Sequence, residues 1–229
     1  MNLNHILIII AVVGAIIDWF AIEKNWKVVE YFAKPSVAFL LIIWLLLLGG
    51  YQGQLLFFTL GLIFCLAGDV FLLFPGRFFM LGLLSFMIAQ VAFILGINQT
   101  LPPINLASIV ILILVVLTTA RLYIRIAQGL SQKGLAKLRI PVSIYCLVIG
   151  LMLVSAILTL VRPNNEWGSF PALLISLGAL LFYISDSINA WERFIVTLPH
   201  GRLATMVTYH LALILIAVSA ALNSFPGGG

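Results

Sequence analysis

The sequence predicts an all-α, polytopic membrane protein of eight transmembrane helices, arranged as two parallel four-helix repeats. Three observations carry this expectation. Hydrophobic residues make up 63% of the 229 positions and charged residues only 8%, too little charge to cover a soluble core of this size. Several apolar stretches approach the ~20 residues of a spanning helix, without the strand alternation of a β-barrel. Finally, an apolar run bearing one aspartate occurs twice, with Leu60, Gly61 and Asp69 matching Leu177, Gly178 and Asp186 at one common spacing.

Taken in order, the helices are expected at His5–Ile22, Pro35–Leu48, Gln54–Phe74, Phe78–Ile97, Ile104–Tyr123, Ile140–Val161, Phe170–Ser187 and Arg202–Leu222. The first lacks the basic n-region and small-residue cleavage site of a signal peptide, so it reads as a retained helix. Pro35, Pro141 and Pro171 are placed at helix starts, where a missing N–H does no harm. This makes the second helix short. Pro75-Gly76 closes the third helix, and Leu101-Pro102-Pro103 separates the fourth from the fifth. The whole reads as one transmembrane domain over 1–225, with halves of about 1–100 and 101–225 and a flexible tail at 226–229.

Loop charges set the orientation. The first, third, fifth and seventh connections and their flanks hold Lys24, Lys27, Lys34, Arg77, Arg121, Arg125, Lys133, Lys137, Arg139, Arg193 and Arg202; the other side holds only Arg162. Basic residues mark the cytoplasmic side, so both termini are expected outside the cytoplasm, in a membrane of the bacterial inner type. Losing one helix from the count would scramble this segregation. The net charge of +5 reports orientation and gives no reason to expect a nucleic-acid partner.

A carboxylate in the hydrocarbon costs about 2.5–3.5 kcal/mol by insertion scales, and such residues are functional by default. The third and seventh helices run in the same direction, which places Asp69 and Asp186 on the cytoplasmic side of the midplane. An axis along the membrane normal would bring both acids to one central cavity. Asp186, Asn189 and Arg193 share a helix face, and Arg193 can reach back to the acid or forward to headgroups. Lys34 is expected at the mouth of the second helix, either pairing with Asp69, reaching the headgroups, or receiving a substrate phosphate. Tyr145 and Tyr209 are intrahelical hydroxyls in need of partners. His210 reads as a satisfied packing residue toward the non-cytoplasmic half, and Asp18 as a residue that reaches the interface. Cys65 and Cys146 read as small buried hydrophobes. No zinc spacing, P-loop or GxSxG occurs, so neither metal nor cofactor is expected.

On these residues alone, an enzyme, a proton-coupled carrier of small molecules or lipids, and a protein whose acids merely pair helices all remain open. Neither acidic helix has the mid-helix interruption typical of carriers.

The motifs GDVFLLF at Gly68–Phe74, GLLSF at Gly82–Phe86, YISDSINAWERF at Tyr183–Phe194 and TYH at Thr208–His210 resemble the YhhN-type, or lysoplasmalogenase, family. Lys34-Pro35, Pro141, Tyr145 and Met152 extend the resemblance over most of the chain. It implies an eight-helix fold and hydrolysis of the vinyl-ether bond of lysoplasmalogens, releasing a fatty aldehyde and a glycerophospho-alcohol. It also implies a lysophospholipid substrate, with Asp69 and Asp186 as the catalytic acids. Lys34, Tyr145, Asn189, Arg193 and Tyr209 are the matching substrate-binding candidates. The sequence departs from the family where its fourth helix often has histidine and then tyrosine, here Gln90 and Phe93, and where its last helix often has glutamine, here Leu213. Vinyl-ether hydrolysis suits two carboxyl groups, one protonating the β-carbon and one facing the oxocarbenium ion. Arg193 makes Asp186 the expected ionised member. The alkyl chain is expected along the third and fourth helices, with the phosphate near Lys34, Arg193 or Arg77.

Overall fold

The computed structural model describes residues 3–102, 104–162 and 166–225. The described residues form eight long helices: α1 (Leu3–Glu23), α2 (Lys27–Leu47), α3 (Gly53–Leu72), α4 (Pro75–Ile97), α5 (Leu106–Gln132), α6 (Arg139–Leu158), α7 (Ser169–Phe194) and α8 (Gly201–Ser224). Each is long and apolar enough to cross a membrane, and the chain is an integral membrane protein. Pro103 and the tail expected at 226–229 lie outside the described residues.

The connections follow from local chemistry. Asn25 takes a left-handed φ of 57°, and the Trp26 N–H reaches the Ala21 carbonyl at 2.8 Å, which closes α1 within one turn. Gly134, at φ 70°, does the same for α5, where the Leu135 N–H meets the Leu130 carbonyl at 2.8 Å. The Asn105 side chain caps α5 by accepting from the Ser108 N–H at 2.9 Å.

Three helix boundaries correct the sequence expectation, all on the basic side. α2 begins at Lys27, so Pro35 lies inside the helix rather than at its start. A proline removes its own N–H bond, but packing against neighbouring helices tolerates this in a spanning helix. The Ser36 hydroxyl donates to the Ala33 carbonyl at 2.7 Å just there. α2 is therefore 21 residues long, not short. α5 continues to Gln132 rather than Tyr123, and α7 to Phe194 rather than Ser187. Hydropathy ends a helix where polar residues begin, yet Arg, Gln, Glu and Ala are good helix formers. The helices project past the apolar zone.

Glycines set the closest packing. A Cβ on Gly61 would come within 2.2 Å of the Phe93 ring, and one on Gly178 within 2.9 Å of Ile216 and 3.2 Å of the Ala212 carbonyl. The repeated Leu-Gly pair thus lets α3 lie on α4 and α7 on α8, the two most extensive helix pairs. The likeness between halves extends past these hairpins: α1 on α2 matches α5 on α6, α2 on α3 matches α6 on α7, and α8 on α2 matches α4 on α6, while α8 packs in addition on α1 and α3. Phe58, Phe93 and Phe182 are fully buried at the centre. α5 stands apart: Ile126 and Leu130 bury its basic end, while Leu114 and Leu117 are 58% and 62% exposed.

Candidate functional site

Asp69 sits near the end of α3 and is 1% exposed. The Tyr209 hydroxyl of α8 donates to its Oδ2 at 2.8 Å. The Lys34 ammonium of α2 lies 3.6 Å from Oδ1. The lengthened α2 makes this pair possible, because Lys34 is carried into the bundle instead of standing at its mouth. Tyr209 is fixed in turn by edge-on contacts with Phe86 and Phe182, each with ring centroids 5.7 Å apart. Lys34 therefore takes the first of its three expected roles: it is the cation beside an acid.

Asp186 is held differently. The Tyr145 hydroxyl of α6 donates to its Oδ2. The Gln90 amide of α4 donates both to that Oδ2 at 3.2 Å and to the Tyr145 hydroxyl at 2.8 Å. Two neutral donors thus converge on one carboxylate oxygen. Arg193, which the sequence placed on the same face, lies over the Phe79 ring with its guanidinium carbon 3.7 Å from the centroid. Lys34 is a cation paired with an aspartate, Asp69.

Both acids face one cavity of about 550 Å³, lined also by Lys34, Asn189, Arg193 and Tyr209. Six of the seven sequence candidates thus meet on one wall. The seventh, Tyr145, reaches the cavity through Asp186 and lines a smaller apolar space of about 60 Å³ behind it. Asp186, Asn189 and Arg193 border both spaces, whereas Asp69 borders only the larger. The larger cavity opens among basic and acidic groups: Lys27, 3.7 Å from Glu30, and Arg202, bonded to Glu30, line it as well. Tyr209 packs on the Phe182 ring, which continues through Phe93 to Phe58 in a buried aromatic chain.

Several expectations are corrected here. Arg77 lies over the Phe78 ring, 5.2 Å from its centroid, rather than among the residues around the acids. α3 and α4 leave no space between them, where an added Cβ on Gly68 would meet the Phe86 ring at 2.6 Å and one on Gly82 would meet Leu72 at 2.7 Å, but Leu72, Phe79, Leu83 and Phe86 of these helices line the apolar space behind Asp186. Asp18 does not reach the interface but is fully buried. His210 adjoins Tyr209, with ring centroids 5.5 Å apart, and so sits level with Asp69 rather than deep in the far half. It is also fully buried and stacks on Trp19 at 6.4 Å. Cys65 and Cys146 are buried free thiols, as the apolar runs suggested. Gln90 is the residue that reasoning from charge overlooked. Its signal was the family position it shares with a frequent histidine.

The family model YhhN matches residues 29–220. Lysoplasmalogenase TMEM86B of Mus musculus is 28% identical over 208 residues, covering 90% of this chain and 80% of the relative. Lysoplasmalogenase TMEM86A of Bos taurus is 30% identical over 162 residues, 70% of this chain and 63% of its own. A lysoplasmalogenase homolog of Dictyostelium discoideum is 27% identical, covering 72% and 62%. No solved structure matches. With the family model spanning most of its length and both acids on one buried cavity, the chain belongs to the YhhN family.

Proposed function

We propose that the protein is a membrane hydrolase that cleaves the vinyl-ether bond of a lysoplasmalogen, with Asp186 as general acid and Asp69 as the ionised partner. The observation that carries this is the unequal dressing of two buried carboxyl groups on one cavity. Asp69 has an ammonium 3.6 Å away, which favours its anion. Asp186 receives neutral donors on Oδ2, leaving Oδ1 to carry a proton.

The substrate's own asymmetry matches. In a vinyl ether the β-carbon lies on the alkyl side of the ether oxygen, and the glycerophosphate on the other. Asp186 borders the apolar space and Asp69 only the polar cavity. The Asp186 proton passes to the β-carbon as the double bond's electron pair takes it up. The oxocarbenium ion that results is stabilised by the Asp69 carboxylate. Water adds to the α-carbon and gives up a proton to Asp69, forming a hemiacetal. Its collapse breaks the carbon–oxygen bond to glycerol, Asp69 giving its proton to the leaving oxygen while the hemiacetal O–H proton passes to Asp186. The products are a fatty aldehyde and a glycerophospho-alcohol. Lys34, Arg193 and Asn189 face the phosphate side, and Tyr145 and Tyr209 hold the two acids.

In the proposed orientation the basic ends of the helices face the cytoplasm of a bacterial inner membrane, with both termini outside. A carrier using the same acids remains the second reading; it would require a path past the buried Phe58, Phe93 and Phe182 rings. Purified protein given a vinyl-ether lysophospholipid should release aldehyde, and folded Asp69→Asn and Asp186→Asn should not. Full turnover in either variant would remove the mechanism. No release by the parent would move the assignment to another lipid or to transport.

A further inference from the structure

We infer that the groove between α5 and α6 is the seat of the substrate's single alkyl chain, admitted sideways from the bilayer, with Gly150 and Val116 setting the chain length accepted. This rests on the hydrolase reading above and goes beyond it by giving the chain a path.

The first observation is a void in the lipid-facing wall. A groove of about 210 Å³ runs between Leu112, Val116, Thr119, Leu147, Gly150 and Val154. It exists because α5 touches the bundle unevenly. At its basic end α5 is pinned: a Cβ on Gly129 would stand 2.2 Å from the Phe194 carbonyl, and Ile126 and Leu130 are buried beside it. Farther along, Val116 is 53% exposed and Leu147 opposite it 61%. Two adjacent helices in a bundle normally bury such faces against each other. Here the two helices meet closely at one point, where an added Cβ on Gly150 would stand 3.3 Å from Thr119, and the flanking Val116 and Leu147 faces stay open.

The second observation is continuity with the acids. Thr119 and Cys146 border both the groove and the apolar space behind Asp186. The Thr119 hydroxyl is tied to the Tyr183 hydroxyl at 3.1 Å, in the wall between them. The path therefore runs from the polar cavity past Asp186, through the apolar space and out between α5 and α6.

The third observation is length. From Ser143 to Val154 the groove follows about 16 Å of α6 at ~1.5 Å per residue, close to the ~15 Å hydrocarbon depth of one leaflet. Its walls are apolar apart from the Thr119, Tyr123 and Ser143 side chains. An extended alkyl chain whose vinyl ether sits at Asp186 would lie in it and point toward the midplane. The pose requires no open water path through the bundle, and it keeps the chain's apolar surface against lipid and protein throughout.

The test is a chain-length profile. Parent, Gly150→Leu, Val116→Trp and, as a control on the outer face of α5, Leu117→Trp are given vinyl-ether lysolipids with about eight or about sixteen chain carbons, each excluded methylene being worth on the order of tenfold in kcat/KM. Val116 and Leu117 are exposed to lipid, so neither change disturbs the core. The expected result is a drop of at least about tenfold for the long chain in Gly150→Leu and Val116→Trp, unchanged short-chain turnover, and no effect of Leu117→Trp. An unchanged profile, or equal loss for both lengths, would overturn the inference while leaving the reaction standing. A lysolipid with a photoactivatable diazirine on its chain reads the groove independently of turnover. Labelling concentrated on α5 and α6, and lost in Val116→Trp, supports the seat even if no vinyl ether is cleaved. Labelling spread over all lipid-facing helices would mean bulk lipid only and would overturn it.

Discussion

The two aspartates occupy matching places in the two halves, yet their surroundings differ. Asp69 is held by an ammonium and a phenol from α2 and α8. Asp186 is held by a phenol and an amide from α6 and α4. Each carboxyl group draws one tyrosine from a helix of the second half. In the proposed mechanism the other partner sets each acid's character, a cation favouring an anion and a neutral amide accommodating a protonated acid, so that the surrounding helices divide the roles of two identical groups, as environment does for paired carboxylates in glycoside hydrolases.

Stability is the widest way to break this comparison. Asp69→Asn would leave the Lys34 ammonium buried without its counterion, and losing one member of a buried pair costs about 3–5 kcal/mol. Asp186→Asn keeps an acceptor for Tyr145 and Gln90 and should melt near the parent, although both variants lose about 10²–10⁴ in turnover. Equal melting shifts for the two would show that Lys34 does not distinguish them. The double variant Lys34→Met with Asp69→Asn sharpens the point. It removes both charges and should regain most of the melting loss of Asp69→Asn without regaining activity.

The tyrosines come next. Tyr145→Phe and Tyr209→Phe each delete a hydrogen bond to a carboxyl group, about 1.5–3 kcal/mol when the partner is charged. The larger loss is expected at Tyr209, whose partner is the anion. A larger drop in kcat for Tyr145→Phe would exchange the two assignments.

The smallest effect lies at the opposite end of the bundle. Glu166, outside the spanning helices, accepts from Thr100 and then from Arg162, at 3.1 Å. These bonds lower its pKa below the ordinary 4.5. A lowered folded-state value means the contribution is present above the ordinary glutamate range and fades as pH falls through the lowered one. Melting temperature should therefore decline slightly on acidification in the parent, and Glu166→Gln should flatten that dependence. A parallel pH profile in both would remove the clasp's contribution.

The boundary errors share one cause. The sequence reading ended α5 at Tyr123 and α7 at Ser187 because hydropathy measures the membrane, not the helix. Backbone hydrogen bonds continue wherever residues favour them, so Arg125 and Arg193 ride on helical turns that project beyond the hydrocarbon. Pro35 misled for a related reason. In water an internal proline usually ends a helix, but between packed membrane helices the lost N–H bond is tolerated, and the helix continues through it. That reading left Lys34 at a helix mouth with three roles open, and the continued helix selects its pairing with Asp69.

By itself the sequence determined what depends on composition and spacing along the chain. That includes the number of spans, the segregation of basic residues to one side, the paired acids and the glycines that let each hairpin close. These are local or one-dimensional properties, written by the solvent each residue requires. Only the tertiary structure decided which partner each acid received. Lys34, Tyr145, Gln90 and Tyr209 come from four different helices, and their meeting depends on how the two halves pack. That packing is only approximately two-fold, because α8 on α2 matches α4 on α6 but α8 also packs closely on α1 and α3. The same asymmetry leaves α5 loosely seated, and with it the groove beside Asp186.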